Sequence, residues 1–97
     1  MGRSFRGGLI GCGAIGKVFA EAVATIDGMD LAAFCSRSRE KAAAFLREYG
    51  GDYETTDADR IICDPSIDAV YITTWHDSHA DLAIRAARAG KHILIEK

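Results

Sequence analysis

Leu9-Ile10-Gly11-Cys12-Gly13-Ala14-Ile15-Gly16-Lys17-Val18 is the stretch that decides the fold. It contains a G-x-G-x-x-G run that closes a short apolar segment and opens an Ala-rich helical pattern. Each glycine has a physical task in such a turn. Gly11 lets the chain turn tightly off a strand, Gly13 leaves room for the backbone to approach a pyrophosphate, and Gly16 lets helix and strand pack closely. The N–H groups at the helix start and the positive end of its dipole favour an anion there. Glycine clusters also mark ordinary turns, so the order strand, turn, helix is what turns the run into a dinucleotide-binding reading. The cofactor-contacting residues expected from it are Gly11, Gly13, Ala14, Ile15 and Gly16.

Working outward, residues 5–10 read as the first strand and 14–26 as a helix whose apolar face carries Ile15, Val18, Phe19, Ala22, Val23 and Ile26 at helical spacing. Residues 31–35 are a continuous apolar run, as in a strand buried on both faces of a parallel sheet. Residues 38–49 form a second helix with Ser38 as its cap and Gly50-Gly51 as its stop. A short edge strand at 53–55, a short helix at 57–63 broken by Pro65, and a buried strand at 67–73 follow. A helix at 78–89, capped by Asp77 or Ser78 and closed by Gly90, leads to a last strand at 92–95. Alternating elements of this kind imply an α/β doubly wound parallel sheet, a Rossmann fold, with strand order 3-2-1-4-5. All of residues 1–97 belong to one dinucleotide-binding domain in this reading.

That order puts a switch point between the first and fourth strands, where ligands bind beyond the carboxyl ends of the strands. Three distant segments converge there: Gly11 to Gly16, Thr73 to His79, and Glu96-Lys97. Thr73, Thr74, Trp75, His76, His79 and Glu96 therefore join the candidate cofactor contacts. Trp75 either lies against the cofactor, lines the substrate entrance or simply fills space, and His79 orients the loop from the start of its helix. His76 and His79 stand three residues apart, but no third ligand has suitable spacing, so no metal site is expected.

Cofactor choice turns on the tip of the second strand. NAD enzymes place an acidic residue about 20 positions beyond the glycine turn, whereas NADP enzymes offer Arg to the 2′-phosphate. This chain has Ser36-Arg37 and no acid there, so NADP is expected first and NAD second; Arg39 and Lys41 add positive charge, which a solvated helix face also explains without any ligand. The lack of an acid at this tip also argues against a methyltransferase.

Composition sets the class of partner. The 97 residues are 48% apolar and 27% charged with a net charge of -2, which suggests neither a nucleic-acid nor a membrane surface. Leu9-Ile10-Gly11-Cys12 looks like a lipoprotein box and Arg3 and Arg6 like a signal n-region, yet the apolar stretch between them is too short for export. Met1-Gly2 begins like a myristoylation signal, but Arg6 stands where Ser or Thr is required. Cys12, Cys35 and Cys63 have neither disulfide nor metal spacing and read as reduced packing residues of a cytoplasmic protein. Cys12 alone sits at a helix N-terminus, where a thiol pKa can fall.

The glycine turn, Cys35-Ser36-Arg37-Ser38 followed by Lys41-Ala42, Ile72-Thr73-Thr74 with His79, and Ala89-Gly90-Lys91-His92-Ile93-Leu94-Ile95-Glu96-Lys97 together resemble the N-terminal half of the glucose-fructose oxidoreductase and inositol 2-dehydrogenase (Gfo/Idh/MocA) family. The last segment is the most specific, since the family carries a Glu-Lys-Pro signature there whose lysine lies beside the nicotinamide. The resemblance implies a second α/β domain that binds a sugar or polyol substrate and supports a homo-oligomer, with Lys97 as the catalytic residue. It implies hydride transfer between a nicotinamide and a secondary alcohol of a sugar, cyclitol or diol, and an inactive module when these 97 residues stand alone. One departure is local: Thr74-Trp75-His76 stands where the family has Thr-Pro-Asn. A non-catalytic NADP(H)-binding sensor or interaction module is the alternative.

Overall fold

A computed structural model describes residues 5–73 and 76–95, with the side chains of 76–79 outside the description. Strands and helices alternate as β1 (Phe5–Ile10), α1 (Ala14–Ala24), β2 (Met29–Cys35), α2 (Arg39–Tyr49), β3 (Tyr53–Thr55), α3 (Ala58–Ile62), β4 (Ala69–Ile72), α4 (His76–Arg88) and β5 (His92–Ile95). The sheet runs β3-β2-β1-β4-β5 with every pairing parallel, which is the order expected of a doubly wound α/β domain.

Alternation along the central strands builds a core on each face of the sheet. Leu9, Phe34 and Tyr71 pack with Ala20 and Val23 of α1 and Ala42 of α2. Ile10, Val70 and Ile72 pack on the other face with Ile61 and Ile62 of α3 and Leu82 and Ala86 of α4. All residues of β4 and residues 31–35 of β2 are buried, which is why these segments read as continuous apolar runs. Local caps fix the helix starts: the Ser38 hydroxyl accepts from the Lys41 N–H at 3.3 Å, and Asp57 accepts from the Asp59 N–H at 3.0 Å.

Two sequence expectations are corrected. The buried stripe of α1 is Gly16, Ala20 and Val23, whereas Ile15, Val18 and Ile26 of the expected face are 47%, 64% and 47% exposed. The glycine turn holds Gly16 against the Gly11 carbonyl just past β1, and that contact fixes the rotation of the helix, so small residues face the sheet. The helix also ends at Ala24, where the Thr25 hydroxyl donates to the Ala22 carbonyl at 2.7 Å, leaving Ile26 beyond it. The second correction concerns α4, which begins at His76, so Asp77 and Ser78 lie in its first turn and neither is the cap preceding it.

Candidate functional site

The carboxyl ends of the strands are level. Thr55 pairs with Cys35, Cys35 with Ile10, Ile10 with Ile72 and Ile72 with Ile95, one continuous row across the sheet. The residues that follow this row, Thr56, Ser36, Gly11 and Thr73, therefore emerge side by side along one edge of the fold.

The glycine turn is built as its sequence requires. Gly11 has φ +114°, a conformation that L side chains rarely adopt, and a Cβ there would lie 2.8 Å from the Thr73 carbonyl carbon. Its N–H donates to the Cys35 carbonyl at 2.8 Å, and its own carbonyl accepts from the Thr73 hydroxyl at 2.7 Å. A Cβ on Gly16 would collide with that same Gly11 carbonyl oxygen, so only glycine allows α1 to start this close to β1. Gly13 differs: among the described residues, no atom beyond its chain neighbours lies within 4 Å of where its Cβ would stand. It precedes α1 with extended backbone, no side chain caps the helix, and its first turn holds no acidic residue. The first N–H groups of a helix lack intrahelical acceptors, so the open space over Gly13 faces donors and a positive dipole end. These residues fit the pyrophosphate of a dinucleotide.

Thr73 joins the second converging segment to the turn, since its N–H donates to the Ile10 carbonyl at 2.9 Å. Ala14 and Ile15 are exposed at the start of α1. At the tip of β2, the Ser36 N–H donates to the Thr55 carbonyl at 3.2 Å and the Ser36 hydroxyl accepts from the Ser38 N–H at 3.1 Å, while Arg37 is exposed. Thr74, Trp75, Glu96 and Lys97, and the side chains of His76 and His79, lie outside the described residues. The described ends of β4 and β5 are level, because Ile72 and Ile95 are register partners.

Cys12 is the small packing residue between two glycines that the sequence favours, and the lowered pKa that a helix N-terminus can give is not found. Cys12 is buried, its thiol donates to the Cys35 carbonyl at 3.4 Å, and burial, with Cys35 nearby, pushes its pKa up to about 12. Desolvation outweighs the helix end at this thiol. Cys35 is likewise raised to about 11 by burial and by the Asp57 carboxylate. Among the described residues, no group of three or more His, Cys, Asp or Glu is arranged to hold a metal, and no helix is long and apolar enough to cross a membrane.

Sequence reasoning missed a hollow beside the tip of β3. Arg39, Glu54, Thr55, Thr56 and Arg60 line a space of about 170 Å³ there. The placement of β3 next to β2 was the available signal, since it brings Thr55 level with Cys35.

The oxidoreductase family with an NAD-binding Rossmann fold matches residues 5–97. An inositol 2-dehydrogenase of Rhizobium meliloti is 46% identical over 92 residues, covering 95% of this chain and 27% of the relative. The crystal structure of scyllo-inositol dehydrogenase from Lactobacillus casei with bound NAD(H) and scyllo-inositol superposes with a TM-score of 0.91 at 30% identity, over 98% of this chain and 28% of that one. A 3-ketoreductase of Actinomadura kijaniata, in complex with NADP and TDP-benzene, has a TM-score of 0.91 at 31% identity, over 98% of this chain and 29% of its own. The chain spans about 28% of the length of the first curated relatives it matches. By its glycine turn, its strand order and the family match across residues 5–97, this chain belongs to the Gfo/Idh/MocA oxidoreductase family as its NAD(P)-binding Rossmann domain.

Proposed function

We propose that residues 1–97 are the cofactor domain of an oxidoreductase that moves hydride between a secondary alcohol of a sugar, cyclitol or related diol and a nicotinamide, with NADP(H) preferred to NAD(H). The level row Thr55-Cys35-Ile10-Ile72-Ile95 carries this reading, because it lines up the glycine turn, Arg37 and the segment leading to Lys97 on one edge. Relatives named as an inositol 2-dehydrogenase, a scyllo-inositol dehydrogenase and a 3-ketoreductase support the substrate class.

The roles follow from position along the row. The open N–H groups behind Gly13 hold the pyrophosphate, and the exposed guanidinium of Arg37 reaches the 2′-phosphate as a charge-assisted fork. Thr73, Thr74, Trp75, His76, His79 and Glu96 are assigned the remaining cofactor contacts. The bound dinucleotide supplies the hydride acceptor or donor. Lys97 handles the proton at the reacting oxygen, and residues beyond it supply the substrate site. The whole enzyme works as a cytoplasmic homo-oligomer.

Titration of the full-length protein with NADPH and NADH at one salt concentration tests the cofactor assignment. Tighter binding of NADPH, lost in Arg37→Ala while NADH binding is retained, is the expected result. Equal affinities, or an unchanged NADPH affinity in Arg37→Ala, would remove the preference.

A further inference from the structure

The hollow beside β3 brings two arginines together. Arg39 opens α2 and Arg60 lies on α3, yet both line the same space of about 170 Å³ together with Glu54, Thr55 and Thr56. That space, open on one side, is large enough for a phosphate group and some of its hydration. Its wall is tied to the cofactor edge, because the Thr55 carbonyl accepts from the Ser36 N–H at 3.2 Å. One strand spacing, about 4.8 Å, separates the β3 tip from the β2 tip.

The two arginines are held differently. The Arg60 guanidinium stacks over the Tyr53 ring, 4.1 Å from its centroid, and the Tyr53 hydroxyl is anchored by donating to Asp64 at 2.8 Å. Stacking fixes the plane of the fork and leaves its edge free to donate. Arg39 is 80% exposed and meets Glu54 at 3.6 Å, a loose ion pair that is easily exchanged for a stronger partner. Glu54 is the carboxylate within the hollow, so it opposes an anion and competes with it for Arg39.

From this geometry we propose that Arg60 and Arg39 form a second clamp on the 2′-phosphate of NADP(H), with Arg39 exchanging Glu54 for the phosphate when the cofactor binds. The proposal rests on the NADP(H) preference argued above and adds the residues that complete it. A phosphomonoester carries close to two negative charges at neutral pH, more than the exposed Arg37 neutralises alone. Arg60 on its stacked platform and Arg39 released from Glu54 supply the rest, and the hydroxyl of Thr56 offers a further donor. Glu54 acts as the discriminator: with NAD(H) it keeps Arg39, and with NADP(H) it loses it.

The test measures binding to the full-length protein of NADPH and NADH, and of 2′,5′-ADP and 5′-AMP as short probes that differ by the one phosphate. Arg60→Gln is expected to weaken NADPH and 2′,5′-ADP about tenfold, with NADH and 5′-AMP changed less than about twofold. Arg39→Gln should weaken the phosphorylated pair several-fold, and Glu54→Gln should tighten it. Circular dichroism checks folding; should Arg60→Gln not fold, the surface variants Arg39→Gln and Glu54→Gln decide. Unchanged NADPH affinity in the arginine variants, or an equal loss for NADH, overturns the clamp while leaving the wild-type preference standing. A wild-type protein that binds both cofactors equally overturns the cofactor reading and the clamp together.

Discussion

Gly13 and Gly16 stand three residues apart in one turn, and the structure assigns them opposite sensitivities. A Cβ at Gly16 collides with the Gly11 carbonyl oxygen and lies 3.3 Å from the Thr73 hydroxyl oxygen. That carbonyl cannot retreat freely, because the Gly11 N–H is bonded to the Cys35 carbonyl at 2.8 Å. Overpacking of this kind costs about 1–3 kcal/mol, and a rigid backbone neighbour places it near the upper end. Alanine returns about 1 kcal/mol of helix propensity. Gly16→Ala should therefore lose about 1–2 kcal/mol of stability in denaturant unfolding. At Gly13 no atom of the described residues beyond its chain neighbours lies within 4 Å of a Cβ and the backbone is extended, so Gly13→Ser should keep or slightly raise stability by capping α1. Its hydroxyl occupies an N–H that the pyrophosphate needs, and each lost charge-assisted bond is worth about 1.5–3 kcal/mol. Cofactor affinity should fall at least about tenfold in calorimetry. Normal binding by Gly13→Ser, or wild-type stability in Gly16→Ala, would refute the division of roles.

Thiol mapping by mass spectrometry after brief alkylation of the native protein should label the exposed Cys63 and spare the buried Cys12 and Cys35, whose raised pKa values of about 12 and about 11 keep them protonated at neutral pH. Rapid labelling of Cys12 would contradict its burial. The Asp64 carboxyl is held below its ordinary range, because the Ser66 backbone N–H and hydroxyl, the Tyr53 hydroxyl and the Lys91 charge together outweigh the burial that opposes them. A lowered folded-state pKa contributes stability above the unfolded pKa, about 3.9, that is lost as pH falls through the folded value. Asp64→Asn should be less stable at neutral pH and show a flatter acid limb in melting curves; an acid limb identical to wild type would exclude this carboxylate as its source.

The sheet was legible because its central strands are buried on both faces. Residues 31–35 and Ala69–Ile72 announce themselves as apolar runs, and the glycine turn marks where β1 gives way to α1. The rotation of α1 was not legible from apolar spacing, which counts Ile15, Val18 and Ile26 and overlooks Gly16 and Ala20. The turn itself contained the answer, since a glycine needed for close approach must face the sheet. The start of α4 was misplaced because Asp77 and Ser78 are good capping residues by type, while the helix already includes them. Cys12 illustrates a contest of two effects whose winner depends on depth, which sequence alone does not give. Arg60 escaped notice because its neighbourhood with Arg39 exists only after β3 takes its place beside β2.

Turnover by the full-length protein tests the central claim most directly. It should be supplied with a panel of inositols, sugars and simple diols and with NADP⁺ or NAD⁺, following the near-ultraviolet absorbance of the reduced nicotinamide, beside its Lys97→Ala variant. The account predicts cofactor reduction with at least one polyol or sugar, and a sharp fall in kcat for Lys97→Ala with cofactor affinity retained. Tight cofactor binding without turnover of any alcohol, or undiminished turnover by Lys97→Ala, would contradict it.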